Sequence, residues 1–516
     1  MTEWRVALAV TGLALLTFFQ FPGHTWLQQD TQIYTPILEH LRDPSLLRND
    51  MVAQHPHVAF TLYDEAARTL RAITGLGFRE VLQAQQLITR ALGIWGLYLM
   101  AEALGLSFAQ ALAVAAICSL GASIAGPAVL TFEYEPTPRA FAMPLLWCGI
   151  GFSMRGRYLA AGIAGAAALL YHPPTALPFC AVFLILVVVR RQWRALVPLG
   201  AAAAILLLVS RGGGPMWIGR LTPFDEQLQR LRASYVWIST WSTSRIVHHL
   251  LLLAIALAAL WRLRDKAGLE ARLWWIGLPL IGVLTMPLSW LLLERLKWSL
   301  VPQIQPLRAL LFVALAVQLL AAVAGFRARR RVEAFGWFAA AFLLPVVPVL
   351  TEPWTWRGPL VAAGLAAGCA LWDRARLPLA LAAFFAVPIL GGVVNYPRLH
   401  PPELAQLSDW ARGTTPRDAV FLFPDAGRGL QPGIFRAEAL RAVYVDWKAG
   451  GQMNYLRDFG EDWWFRWQQT MAPKFNPLAL PRFGALGIQY VVLQAKNRVP
   501  RPAAFENAGY VVYRVN

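Results

Sequence analysis

Three acids in two short segments are the residues most able to do chemistry. Asp30 closes Gly23-His24-Thr25-Trp26-Leu27-Gln28-Gln29-Asp30, a polar stretch just past the first apolar run. Glu133 and Glu135 form an acid-x-acid pair in Phe132-Glu133-Tyr134-Glu135-Pro136, just before a later apolar run. A carboxylate at such a boundary can take a proton from an acceptor hydroxyl. Alternating acids can also aim oxygens at one cation, a set that suits Mg²⁺, Mn²⁺ or Ca²⁺. Asp30, Glu133 and Glu135 are therefore the candidate catalytic residues and the candidate ligands of a divalent cation, Mg²⁺ or Mn²⁺. The plain alternative for each is a solvated helix cap or ion-pair partner.

Cations flank the acids. Arg139 follows the pair and opens one apolar run, and Arg308 opens another after Gln305-Pro306-Leu307. An arginine there can clamp a phosphate with two hydrogen bonds, or snorkel to lipid headgroups. His55, His57 and His172 complete the candidate substrate-binding set; with no third ligand nearby, a polar-loop role competes for the first two. Two tryptophan-rich segments, Val445-Asp446-Trp447-Lys448-Ala449-Gly450-Gly451 and Glu461-Asp462-Trp463-Trp464-Phe465, can stack on sugars. Trp463-Trp464 reads rather as an anchor at the bilayer surface.

The elements that carry these residues are apolar helices. The 516 residues are 57% hydrophobic and 15% charged, against about 25% charged in a soluble chain. Runs long enough to cross a bilayer recur, about 13 of them, beginning near 4–21 and ending near 377–394. Arginine clusters at 155/157, 190–194, 262–272, 327–331 and 374/376 fall on alternate connections, all on the side of the N-terminus. The positive-inside rule then puts the N-terminus in the cytoplasm and the acids outside. The connections 23–86, 126–139, 210–245, 294–305 and 351–357 are outside on this reading, with Glu352 in the last. Within 23–86, apolar residues at helical spacing beside Asp64, Glu65, Arg68 and Arg71 predict an interfacial amphipathic helix. The net charge of +18 is dispersed among apolar runs, which excludes a nucleic-acid binder. The four cysteines lie inside apolar runs and make no disulfide framework.

From about residue 395 the composition changes. Segments 419–423, 442–445, 490–493 and 510–513 predict short strands, and 403–412 and 457–471 predict helices. The expected fold class is thus a polytopic α-helical membrane protein, with residues 1–394 as a transmembrane domain and 395–516 as an extracytoplasmic α/β domain. No nucleotide-binding glycine motif opens the tail.

This layout resembles the GT-C superfamily of membrane glycosyltransferases, which includes oligosaccharyltransferases, protein mannosyltransferases and aminoarabinose transferases. Asp30 matches the superfamily's first-loop acid, and Glu133-Tyr134-Glu135 matches the acid-x-acid motif of oligosaccharyltransferases in place and type. Residues 410–421 are similar to the tails of uncharacterised bacterial members. The WWDYG motif is absent, which argues against peptide N-glycosylation. The resemblance implies a multi-pass protein of the bacterial inner membrane that moves a sugar from a polyprenyl-phosphate donor to a lipid, glycan or protein acceptor outside. Asp30 would act as base or metal ligand, and Arg139 or Arg308 would steady the leaving phosphate. Two other functions share the architecture: an inactive GT-C-fold scaffold, and a transporter or flippase of lipid-linked glycans. The last would need ionisable residues in mid-membrane, where the sequence has few; Glu102, His248 and His249 fall near the ends of apolar runs.

Overall fold

The computed structural model describes residues 3–19, 23–55, 61–127, 129–210, 218–344, 357–391, 400–471, 475–476 and 480–515. His57, Glu352 and the 394/395 boundary lie outside these residues.

Among the described residues a helix lies in each of the apolar runs, from Glu3–Phe19 to Arg376–Gly391. Four helices are long and apolar enough to cross a membrane by length and composition: Pro173–Arg190, Thr243–Arg262, Leu269–Arg295 and Leu300–Arg327. The last is buried throughout its most apolar 18-residue stretch. Helices Phe108–Ser119, Thr243–Arg262, Leu269–Ser289 and Arg331–Leu343 pack around its C-terminal part, Leu311–Arg327. A helix that is apolar on every side has to be buried in this way.

One expected boundary moves. The run at 108–125 is helical only over Phe108–Ser119, because the chain then turns into a hairpin that pairs Ser123–Ile124 with Val129–Leu130. At ~1.5 Å per residue the helix spans about 18 Å, well short of a bilayer core. The hairpin delivers Glu133 and Glu135.

The helices on either side of that hairpin carry the site. Phe78–Ala103 and Pro138–Met154 touch backbone to backbone: a Cβ on Gly96 would lie 2.4 Å from the Trp147 carbonyl oxygen. Only glycine permits this approach. Toward the hairpin end of the pair, Arg90 is buried and donates to the carbonyls of Thr17 (2.8 Å), Gly23 (3.0 Å) and Glu133 (3.1 Å). One guanidinium thereby joins the end of the first helix, the start of the first long connection and the acid-x-acid loop.

Within that connection lie helices Thr31–Arg42 and Tyr63–Thr74. The second has the amphipathic pattern expected of it, with Tyr63 and Ala67 buried and Ile73 76% exposed.

The tail holds a five-stranded mixed sheet. Val420–Leu422 lies in parallel between Ala442–Val443 and Tyr490–Gln494; Tyr510–Arg514 pairs antiparallel with Tyr490–Gln494 and with Phe505–Glu506. Alternating residues cover both faces. Phe421, Phe423, Val492 and Val512 face helices Pro402–Thr414 and Gln431–Ala439, while Val420, Leu422, Val491 and Val511 face Phe459 and Trp463 of helix Arg457–Thr470. Helix Thr31–Arg42 serves both cores. Leu38 joins the first, which continues through Trp26 and Tyr63 to Phe78 and Phe141 at the top of the paired helices; Ile33 and Ile37 join the second. The tail thus packs directly on the segment that carries Asp30.

Trp463 is fully buried in this tail core, stacks on Trp467 and donates its indole N–H to the Asp446 carbonyl at 2.8 Å. It is not available to anchor the protein at a bilayer surface.

Candidate active site

Asp30 stands at the N-terminus of helix Thr31–Arg42, on a turn whose shape is set by Glu135. Glu135 is 6% exposed, and its two oxygens accept four successive backbone N–H groups: Gln28 (2.7 Å), Gln29 (3.0 Å), Asp30 (2.8 Å) and Thr31 (3.3 Å). The Thr31 hydroxyl donates to it as well. An anion at the first turn of a helix satisfies donors that have no intrahelical partner. To form this nest the chain places Leu27 at φ 55°, with its N–H on Thr31 Oγ1 (2.9 Å) and its carbonyl accepting from Gln32 Nε2 (2.7 Å). A non-glycine residue there is strained. Burial raises the Glu135 carboxyl's pKa, opposed by the Gln29 N–H and the Thr31 hydroxyl.

Glu133 has a different partner. Its Oε1 accepts from Arg139 Nε at 2.7 Å and from the Leu130 N–H at 3.2 Å, with Arg139 buried and Glu133 partly buried. Asp30 in turn pairs with Lys448, whose Nζ lies 2.6 Å from Oδ1. Burial pushes the Asp30 carboxyl up, but Lys448, Arg139 and Arg308 outweigh it and hold the group well below the usual carboxylate range. The three acids therefore face three separate sets of N–H donors rather than one point. Among the described residues no three His, Cys, Asp or Glu side chains gather to hold a metal. Glu133 and Glu135 are each turned to their own N–H donors and Asp30 to Lys448, so the three carboxylates do not converge on the cation expected for them, and no step below passes through one.

Asp30 and Lys448 open onto a cavity of about 260 Å³, lined also by Tyr34, Arg232, Gln305, Arg308 and Tyr455. Among the described residues, buried atoms of five lining side chains have no partner: Arg232 Nε, Arg308 Nε, Gln305 Oε1, Gln452 Nε2 and Asn454 Oδ1. Buried polar atoms without partners are rare in native proteins, and donors and acceptors grouped in one cavity suit a polar ligand. Gln305 sits at φ 51°, between the short helix Leu300–Ile304 and the turn that presents Arg308. Burial pushes the Tyr34 and Tyr455 hydroxyls up in pKa, so both remain neutral donors near Asp30.

Lys448 is placed by the tail. Asp50, from the first long connection, accepts from Arg436 Nε at 2.7 Å; Arg436 also donates to Asp446, and all three are buried. Asp446 Oδ1 accepts the Ala449 N–H at 2.9 Å, which fixes the turn that bears Lys448. Arg232, its pKa lowered to about 10 by burial, lies over the Trp447 ring at 3.9 Å and donates to the Trp447 carbonyl at 2.6 Å.

Of the residues singled out in the sequence, Asp30 and Arg308 line the cavity, and Arg139, Glu133 and Glu135 stand behind it. His55 bonds its own turn, Nδ1 to the Met51 carbonyl at 2.6 Å, and packs on Phe459. His172 caps helix Pro173–Arg190, its Nδ1 accepting the Thr175 N–H. Neither lines the cavity. Lys448, Tyr34, Tyr455, Gln305 and Arg232 went unnoticed in the sequence as site residues. The one available signal was Lys448, one of five lysines among 47 basic residues, beside two glycines just after a strand.

Residues 402–469 match a family described as a domain of unknown function (DUF6798). No curated protein matches the chain. Solved structures similar to it include these two. One is ArnT from Cupriavidus metallidurans in the apo state, with TM-score 0.45 and 15% identity over 99% of this chain and 96% of that one. The other is the arabinofuranosyltransferase AftD from Mycobacteria, with TM-score 0.45 and 16% identity over 96% of this chain but only 35% of that one.

Proposed function

We propose that this chain is an integral membrane glycosyltransferase that moves a sugar from a polyprenyl-phosphate donor to an acceptor hydroxyl outside the cytoplasm. The observation that carries this reading is the Asp30 carboxylate in a polar cavity, held by a lysine and close to the fields of two arginines, with partnerless donors and acceptors around it. The arginine clusters support the orientation: N-terminus inside, about thirteen spans, and a tail domain from about residue 395 outside, in a bacterial inner membrane.

In this mechanism the acceptor O–H gives its proton to Asp30 while its oxygen attacks the anomeric carbon. The bond from that carbon to the donor phosphate breaks on the opposite face, and its electron pair leaves with the polyprenyl phosphate. Configuration inverts. Arg308 and Lys448 meet the charge that grows on the phosphate. Cations already held in place need no reorganisation as that charge develops, which makes them the strongest aid such a site can offer. Arg139 stays on Glu133 and contributes through its field.

Lys448 has two tasks in this scheme. Paired with it, Asp30 is a weak base, because its pKa is depressed. A donor phosphate entering the cavity competes for the ammonium. As Lys448 turns to the phosphate, burial again raises Asp30 and makes it a better proton acceptor. Donor binding thereby prepares the base.

The test is turnover by the purified chain in lipid vesicles supplied with polyprenyl-phosphate sugars of several kinds, read as release of polyprenyl phosphate. Acceptor-dependent release with at least one donor supports transfer. Binding of every donor with release of none sinks it and leaves the inactive scaffold.

A further inference from the structure

A second cavity lies in the tail, at a place in the sheet where ligands are held for a topological reason. Strand Val420–Leu422 runs on through helix Gln431–Ala439 to the strand on one side, Ala442–Val443; its parallel neighbour on the other side is Tyr490–Gln494. The connections from these strands diverge at their carboxyl ends and leave a crevice, the general ligand position of open α/β sheets. The structure has a cavity of about 410 Å³ there, within the range of small-molecule sites. It is lined by Glu403, Phe423, Asp425, Gln431, Lys496 and Tyr510.

The lining is chemically uneven. Tyr510 is 9% exposed and lines the cavity, and among the described residues no side chain or backbone group bonds its hydroxyl. It faces Asp425 and Glu403, the two charges that act on it. Asp425 Oδ2 accepts the Gln494 N–H and Asn497 Nδ2, both at 2.8 Å, which holds the two strand ends together and orients the carboxylate. The Glu403 carboxylate and the Gln431 amide have no partner among the described residues. Two carboxylates oppose one exposed lysine, Lys496, so the field disfavours a phosphate or nucleotide. Hydroxyl groups fit instead: carboxylates accept from them, the Gln431 amide does both, and the Tyr510 ring offers an apolar face to sugar C–H groups.

We propose that this crevice binds a saccharide unit, neutral or cationic, through Glu403, Asp425, Gln431 and Tyr510. It lies one loop away from the Asp30 cavity. The loop that follows Val420–Leu422 places Asp425 in the crevice and Arg428 over the Trp447 ring at 4.4 Å, next to Lys448. A glycan seated here would be held beside the transfer cavity, but binding itself does not depend on the transferase reading.

The experiment is saturation-transfer NMR on the full chain in nanodiscs, with N-acetylglucosamine, glucosamine and mannose as probes and adenosine monophosphate as the anionic comparison. At least one sugar saturates in the millimolar range, and binds more tightly than the nucleotide. Tyr510→Phe and Glu403→Gln each weaken it about two- to tenfold, the size of one lost hydrogen bond. Asp30→Asn binds it unchanged, which separates this claim from the transfer chemistry. Tyr510 is part of the tail core, so thermal unfolding of each variant is recorded; Glu403 lies at the crevice rim and serves if Tyr510→Phe does not fold. Failure of all three sugars to saturate, tighter binding of the nucleotide, or undiminished sugar binding in both variants overturns the proposal.

Discussion

Lys448 Nζ lies 2.6 Å from Asp30 Oδ1 across 418 residues of chain, and this contact joins the first long connection to the tail domain at the centre of the cavity. What the pair does, and what holds it in place, can each be tested by substitution.

Lys448→Met removes the largest opposing charge from Asp30, and the carboxyl pKa rises. The acid limb of the pH profile of kcat/KM then moves to higher pH, while kcat falls through loss of a phosphate contact. The stability effect has a defined sign. The folded pKa of Asp30 is depressed, so the pair stabilises fully above the unfolded value of ~4 and is lost as pH falls below it. Thermal unfolding of wild type and Lys448→Met therefore differs most near neutral pH and converges in acid.

Arg436→Met leaves Asp50 and Asp446 buried without their shared cation. Removing one partner of a buried charge set costs about 3–5 kcal/mol. A large fall in unfolding temperature follows, and so does loss of donor turnover, because Asp446 no longer fixes the Lys448 turn.

Glu135→Ala exposes a different dependence. It deprives four backbone N–H groups of their acceptor, at roughly 3 kcal/mol for charge-assisted bonds of this kind. Limited proteolysis is then expected to cut the segment 24–31 faster in the variant than in wild type. Glu135→Asp, one methylene shorter, restores part of the protection.

Arg308→Ala raises the donor KM by about ten- to a hundredfold, the ~1.5–3 kcal/mol of a charged hydrogen bond to phosphate. Arg308→Lys recovers part of it, since an ammonium keeps the charge but not the planar fork. Equal KM in wild type and Arg308→Ala would remove Arg308 from the donor site.

How far the sequence could be read follows from what each signal depends on. The helical runs were legible because apolar length is a local property. The four expected strands formed for the same reason, their β-branched and aromatic residues lying within four- or five-residue windows. Helix Gln431–Ala439 was not foreseen, since Pro432 and Gly433 argue against a helix locally; there proline opens the first turn and Gly433 lets Gln32 pack against the backbone. Asp30 was visible as an acid near the end of an apolar run. Its partner was not, because a contact between residues 30 and 448 leaves no trace in local spacing. The acid-x-acid pair is visible in the sequence but its partners are not: a nest of backbone N–H groups, which has no residue signature, claims Glu135, and an arginine six residues on claims Glu133.

The most direct measurement is sugar transfer by Asp30→Asn in the vesicle assay, alongside its unfolding temperature and its donor affinity. The amide keeps the size of the side chain and cannot take the acceptor proton. The account predicts an intact fold, retained donor binding and a fall in transfer of roughly 10²–10⁴-fold, the contribution of a positioned general base. Full transfer by a folded Asp30→Asn protein would contradict it.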